Sequence, residues 1–168
     1  MKILIQKISV LNDFIGKSVS WLTFALVVLI CIDVFWRYFF DNSKVWMGEL
    51  EWHLFAGIFL LGAAYTFKDD EHVRVDLFYT NYSKERKAWI NLIGNLFFLI
   101  PFCLIIIITS YKYAYSSFLF QEGTPNPGGL PYRFIVKSMI GLGFTFLLLQ
   151  AISNSLSAIL TINKKSTD

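Results

Sequence analysis

Cysteine and histidine are scarce in this chain, two of each in 168 residues, too few for a disulfide framework or a zinc-type ligand set. Cys31 and Cys103 both fall deep inside apolar runs, where packing against helices or lipid is the expected role. The histidines, His53 and His72, sit at the ends of apolar segments, so the axial pair of a membrane cytochrome is missing. No Ser/His/Asp set and no paired acids of a soluble cleft are present, and enzyme activity and a cofactor are not expected. Charged residues make up only 16% of the chain, for a net charge of +3, and the basic ones lie beside apolar segments instead of forming one patch. That pattern does not suit nucleic acid. No internal repeat of the kind that builds inverted-repeat carriers is visible.

What the chain has in quantity is apolar surface: 55% hydrophobic and 18% aromatic residues, with a mean hydropathy of +0.54. A hydrocarbon core roughly 30 Å thick takes about 20 apolar helical residues per crossing. The runs at residues 18–38, 49–67, 89–111 and 134–160 meet that length. The expected fold is an all-α integral membrane protein: one domain over 1–168, with four transmembrane helices and amphipathic interfacial helix segments. The run from Val19 is too long for a signal-peptide core and is expected to stay attached as the first span.

Ahead of it, Leu4, Ile8, Leu11 and Ile15 recur at helical spacing among Lys2, Gln6, Lys7, Asn12 and Asp13, which predicts an amphipathic helix on the membrane surface. Residues 41–53 read as an interfacial helix or the wet end of span two. Pro101 predicts a kink midway along span three. Pro125, Pro127, Gly128, Gly129 and Pro131 predict a rigid turn before span four; no lysine and serine follow the glycines at P-loop spacing. With four spans, Lys2, Lys7, Lys17, Lys68, Arg74, Lys84, Arg86, Lys87, Lys164 and Lys165 lie on one side, and only Arg37, Lys44, Lys112, Arg133 and Lys137 on the other. The richer side is expected to be cytoplasmic, with both termini there.

Several polar groups invite chemical readings. Asp33 and Arg37, four residues apart near the end of span one, form either an ion-pathway pair or, as their position favours, an interfacial pair that snorkels to water. His53, four residues after Glu49, suits a metal or proton-relay role or, as the lack of a second histidine or cysteine nearby favours, a headgroup-level hydrogen bond. His72 lies amid Asp69, Asp70, Glu71 and Asp76, a ligand-type cluster that could hold a cation, but its spacing matches no calcium or zinc loop, so a solvated or salt-bridged loop is the plainer reading. Asn91 and Asn95 share one face of span three, and Gln150, Asn154 and Ser157 one face of span four. Antiparallel spans would bring these to similar depth, which predicts a hydrogen bond from Asn91 or Asn95 to Gln150 or Asn154.

A partner-subunit interface is expected along span two. Trp46, Glu49, Glu51 and His53 precede a short apolar run in which Ala56 and Ala63, and likewise Gly57 and Ala64, stand seven apart. Acidic groups beside small residues make lipid a poor neighbour for that surface.

The order of these features resembles the small membrane subunit, DctQ-like, of tripartite ATP-independent periplasmic (TRAP) transporters. The residues that carry the resemblance are Trp46, Glu49 and Leu50; Leu61, Gly62, Ala63 and Ala64; His72, Val73, Val75 and Asp76; Pro127 to Pro131; and Lys137 and Gln150 in span four. One departure is Asp69 and Asp70 before His72, where the family pattern has a glycine-containing turn. The resemblance implies a bacterial inner-membrane complex. In it a larger membrane subunit holds the sodium and substrate sites and moves elevator-fashion, and a periplasmic solute-binding protein delivers a small organic acid. The small subunit braces the static scaffold, with Trp46 and Glu49 in its periplasmic-side helix and Gly128 to Pro131 in its second periplasmic loop. The competing reading is an autonomous small carrier or channel, a homo-oligomer with Asp33, Arg37, Glu49 and His53 lining a pore.

Overall fold

The computed structural model describes residues 1–69 and 82–165. Four helices carry the fold: α1 (Lys2–Phe40), α2 (Val45–Lys68), α3 (Lys84–Leu119) and α4 (Phe134–Lys165), and no strand occurs among the described residues. All four are long and apolar enough to cross a bilayer, and the chain is an all-α membrane protein.

The amphipathic opening stretch is not a separate surface helix. It forms the first turns of α1, a single helix of 39 residues, about 58 Å at roughly 1.5 Å per residue. Nothing in the sequence breaks it: no proline occurs before Phe40, and Ile8, Asn12, Gly16 and Val19 form one continuous buried stripe. The helix stops at Asp41, which takes the left-handed conformation at φ 47°. α2 begins at Val45, so the polar segment before residue 54 is the wet end of that helix.

Pro101 acts on α3 through a π-type turn over Asn95–Leu99, where the Ile100 N–H reaches back to the Asn95 carbonyl. A proline ring crowds the carbonyl four residues before it, here that of Phe97, and the wider turn makes room.

α1 and α2 run antiparallel: Lys68 pairs with Asp13, and Gly16 lies under the Tyr65 ring. α4 packs against all three other helices. It runs alongside α2, where Gly143 meets Leu60, and antiparallel to α3, where Phe134 meets Phe118 at 5.2 Å and Phe144 meets Phe102 at 5.7 Å between ring centroids. The core is built from small side chains, with Ala64, Cys103 and Ala151 fully buried and Val136, Gly143 and Gln150, seven residues apart, forming a buried seam on α4. Where lipid tails are as apolar as the protein, close backbone approach replaces the hydrophobic drive between helices. The bulky side chains point outward instead: Trp21, Phe24, Phe97, Phe98 and Ile105 are all more than half exposed.

Candidate functional site: a clasped loop and a polar tie

The most densely bonded polar site lies at the end of the bundle opposite the chain termini, around Glu49. Helix α2 carries this residue one turn in from Val45, and its side chain is buried beneath the α3–α4 loop. The loop closes on itself first. The Arg133 N–H donates to the Glu122 carbonyl at 2.9 Å, and the Thr124 N–H to that of Leu130 at 3.3 Å. Gln121, Gly128 and Tyr132 take positive φ values of 47°, 80° and 63°, and the prolines fix the residues between.

The resulting concavity holds one carboxylate. Thr124 donates its hydroxyl to Glu49 Oε1, Asn126 Nδ2 donates to the same oxygen at 3.3 Å, and the Leu130 N–H donates to Oε2 at 2.6 Å. The two glycines do separate work: Gly128 supplies the left-handed turn, and Gly129 lets the carboxylate in. A Cβ on residue 129 would lie 2.6 Å from Glu49 Oε2 and 2.3 Å from Thr124 Cγ2, well inside van der Waals contact.

A second cluster flanks the loop. Glu122 accepts from Lys137 Nζ and has Arg133 at 3.9 Å. The hydrogen bond from Lys137 holds its carboxyl below the usual glutamate range, with Arg133 adding to the effect. Lys137 also lies over the Tyr113 ring at 4.0 Å, and Arg133 near the Trp52 ring at 6.0 Å. These groups form the rim of an apolar groove of about 480 Å³ between α2, α3 and α4.

The interface set expected along span two divides. Trp46 is 39% exposed, and Glu51 and His53 are half-buried. His53 Nδ1 faces the Glu49 carbonyl, and its ring lies 3.9 Å from that of Trp52. Ala56 lines the groove, and Ala63 lines a furrow between α1 and α2. Three members are taken up inside the chain. The Glu49 carboxylate is occupied by its own loop, Gly57 lies under Met139 of α4, with 3.3 Å from an ideal Cβ to the sulfur, and Ala64 is fully buried. Their small size and charge serve the bundle itself.

The polar tie between spans also differs from expectation. Gln150 Oε1 accepts from Asn12 Nδ2 at 2.7 Å, and Gln150 Nε2 donates to Asn154 Oδ1 at 2.8 Å. The cross-helix partner of Gln150 is therefore α1, not α3, because the stripe that buries Ile8 and Gly16 carries Asn12 inward with them. Asn91, Asn95 and Asn154 line one cavity. Asn12 was hidden by its polar neighbours; its four-residue spacing from Ile8 and Gly16 was the available signal.

Asp33 and Arg37 form an ion pair one helical turn apart, with Asp33 side-chain exposure of 4% against 59% for Arg37. That asymmetry fits a snorkelling arginine covering an acid. Of the acidic cluster around His72, only Asp69 is among the described residues, 3.7 Å from Lys68; His72, Asp70, Glu71 and Asp76 lie outside them. Hydroxyls within the helices, among them Thr23, Thr66, Thr145 and Ser155, donate to the carbonyl four residues earlier and so need no partner in the apolar layer.

A four-helix membrane bundle with an internally braced loop is the class these observations define. Residues 26–161 match the family model described as "Tripartite ATP-independent periplasmic transporters, DctQ component", and the chain belongs to that family, a membrane component of TRAP transporters. A search of the curated proteins finds no match to the chain.

Proposed function

We propose that this chain is a non-catalytic brace for the large, sodium-coupled membrane subunit of a TRAP transporter, which imports a small organic acid handed over by a periplasmic binding protein. The observation that carries this reading is how the ionisable groups of the spans are used. Asp33 is committed to Arg37, Lys68 to Asp13, and Glu49 to its own loop. Groups closed on one another make a stiff rib, and these three are not open to a passing solute or ion. The outward surface left for a partner is apolar and aromatic. Trp46 is the rigid anchor in the proposed interface, with Glu51 and His53 beside it. Glu49 supports that surface from behind by fixing the loop.

Trp46→Ala is expected to weaken co-purification of the large subunit and to lower uptake by the complex, leaving solute binding to the soluble protein unchanged. Undiminished recovery of the large subunit would remove Trp46 from the interface. The membrane is the bacterial inner membrane, with both termini cytoplasmic, on the strength of ten basic residues on one side against five on the other. Reporter fusions at Thr124 should read periplasmic and those at Ser83 cytoplasmic. A periplasmic signal at Ser83 would reverse this orientation.

A further inference from the structure

Where α2 ends, α3 begins and α4 ends, the helices enclose a cavity of about 410 Å³. Lys84, Lys87, Asn91 and Asn95 reach it from α3, Asn154 from α4 and Lys68 from α2, together with two hydroxyl residues of α4. No carboxylate is among its described lining residues.

Three features of this wall point to an anion. Lys84 stands in the first turn of α3, where the helix's own unpaired N–H groups add positive potential. Lys68 is already committed to Asp13, whereas Lys84 forms no ion pair among the described residues. Deeper in, Asn95 is only 7% exposed, lines the cavity, and makes no side-chain hydrogen bond to a described residue. An amide held this deep in the bundle, with no partner among the described residues, is free to bond a group that enters the cavity.

The surroundings select the kind of anion. Asn95 lies within a span, and the apolar side chains of Phe67, Ala88 and Ala158 line the cavity with it. The cavity thus joins a cationic mouth near the start of α3 to a deeper floor that mixes polar and apolar side chains. A soluble anion would satisfy the mouth alone, but an amphiphile satisfies both.

We propose that this cavity binds a phospholipid from the leaflet on the side of the termini. Its phosphate lies at Lys84, and its ester oxygens accept from the Asn95 amide. The site belongs to the folded chain alone and does not rest on the transport reading.

The test uses the full chain in detergent, with phosphatidylglycerol, phosphatidylcholine or soluble glycerol 1-phosphate added, read by native mass spectrometry and thermal stability. Phosphatidylglycerol should be retained in preference to phosphatidylcholine and should raise the Tm. Lys84→Gln and Asn95→Leu should each cut that retention by about fivefold, the worth of one lost hydrogen bond or more. If Asn95→Leu does not elute as a single species, the near-isosteric Asn95→Asp takes its place; its carboxylate should repel the phosphate and lower retention at least as far. Equal retention by the folded variants, or no preference between the two lipids, would overturn the proposal. Stabilisation by glycerol 1-phosphate alone would overturn the lipid assignment in favour of a soluble anion.

Discussion

Gly143→Leu is expected to prevent the bundle from forming, and Gly143→Ala to destabilise it by about 1–3 kcal/mol, the usual cost of forcing extra atoms into a closed contact. A Cβ on residue 143 would stand 2.5 Å from the Leu60 carbonyl oxygen and 2.9 Å from its carbon. Those are backbone atoms in the middle of α2, and no rotamer change relieves them. The only relief is to move α2 away from α4, which opens the seam along Val136, Gly143 and Gln150. Gly48→Ala is the matched control, because nothing lies within 4 Å of the added atom; there the lost glycine flexibility should gain up to about 1 kcal/mol. Reversible unfolding in mixed micelles measures both. Equal behaviour of the two alanine variants would mean that α2 and α4 do not touch at this point.

Gly129→Ala should release the α3–α4 loop as effectively as Glu49→Ala does, although one change adds a methyl group and the other removes a carboxylate. The first drives an atom to within 2.6 Å of Glu49 Oε2, and the second takes away the acceptor of Thr124, Asn126 and the Leu130 N–H. Each variant should expose the loop to protease, with cleavage between Thr124 and Leu130 faster than in the parent by about tenfold or more, the equivalent of roughly 1.4 kcal/mol. The double variant should be less than additive, because without the carboxylate part of the clash disappears. Strict additivity in the cleavage rates would show that Glu49 and Gly129 act separately and that the carboxylate does not sit in the loop.

The four spans were legible because each is a long apolar run, and the bilayer fixes a minimum length that nothing else in the chain satisfies. Their partners were less so. The segment before Val19 reads as a surface helix by its alternating polarity, but the absence of any breaker lets it run on into α1. Pro101 announced an irregularity, and the turn that absorbs it lies on its N-terminal side, where the ring meets the preceding carbonyls. Glu49 was marked as a polar residue that needs a partner, yet the donors that satisfy it come 75 to 81 residues later in the chain. Spacing rules cannot connect such positions. Asn12 and Gln150 are 138 residues apart and meet only because α1 and α4 pack. Pairwise contacts between helices depend on rotation about each axis, and a pattern with a broad apolar face fixes that rotation poorly.

The braced bundle bears on function through what it leaves free to move. Ion pairs Asp33–Arg37 and Lys68–Asp13, the Glu49 clasp and the Asn12–Gln150–Asn154 chain tie the described helices to one another or to themselves. In the proposed bracing role, a component held in this way leaves transport activity to the larger subunit. The most direct measurement is flux from the purified chain reconstituted alone in liposomes under a sodium gradient, set against the same liposomes containing the large subunit and supplied with the binding protein. No solute flux is expected from the chain alone, and uptake only from the assembled system. Reproducible flux of an organic acid or an ion through the chain alone, lost on changing Asp33 or Glu49, would contradict the bracing role.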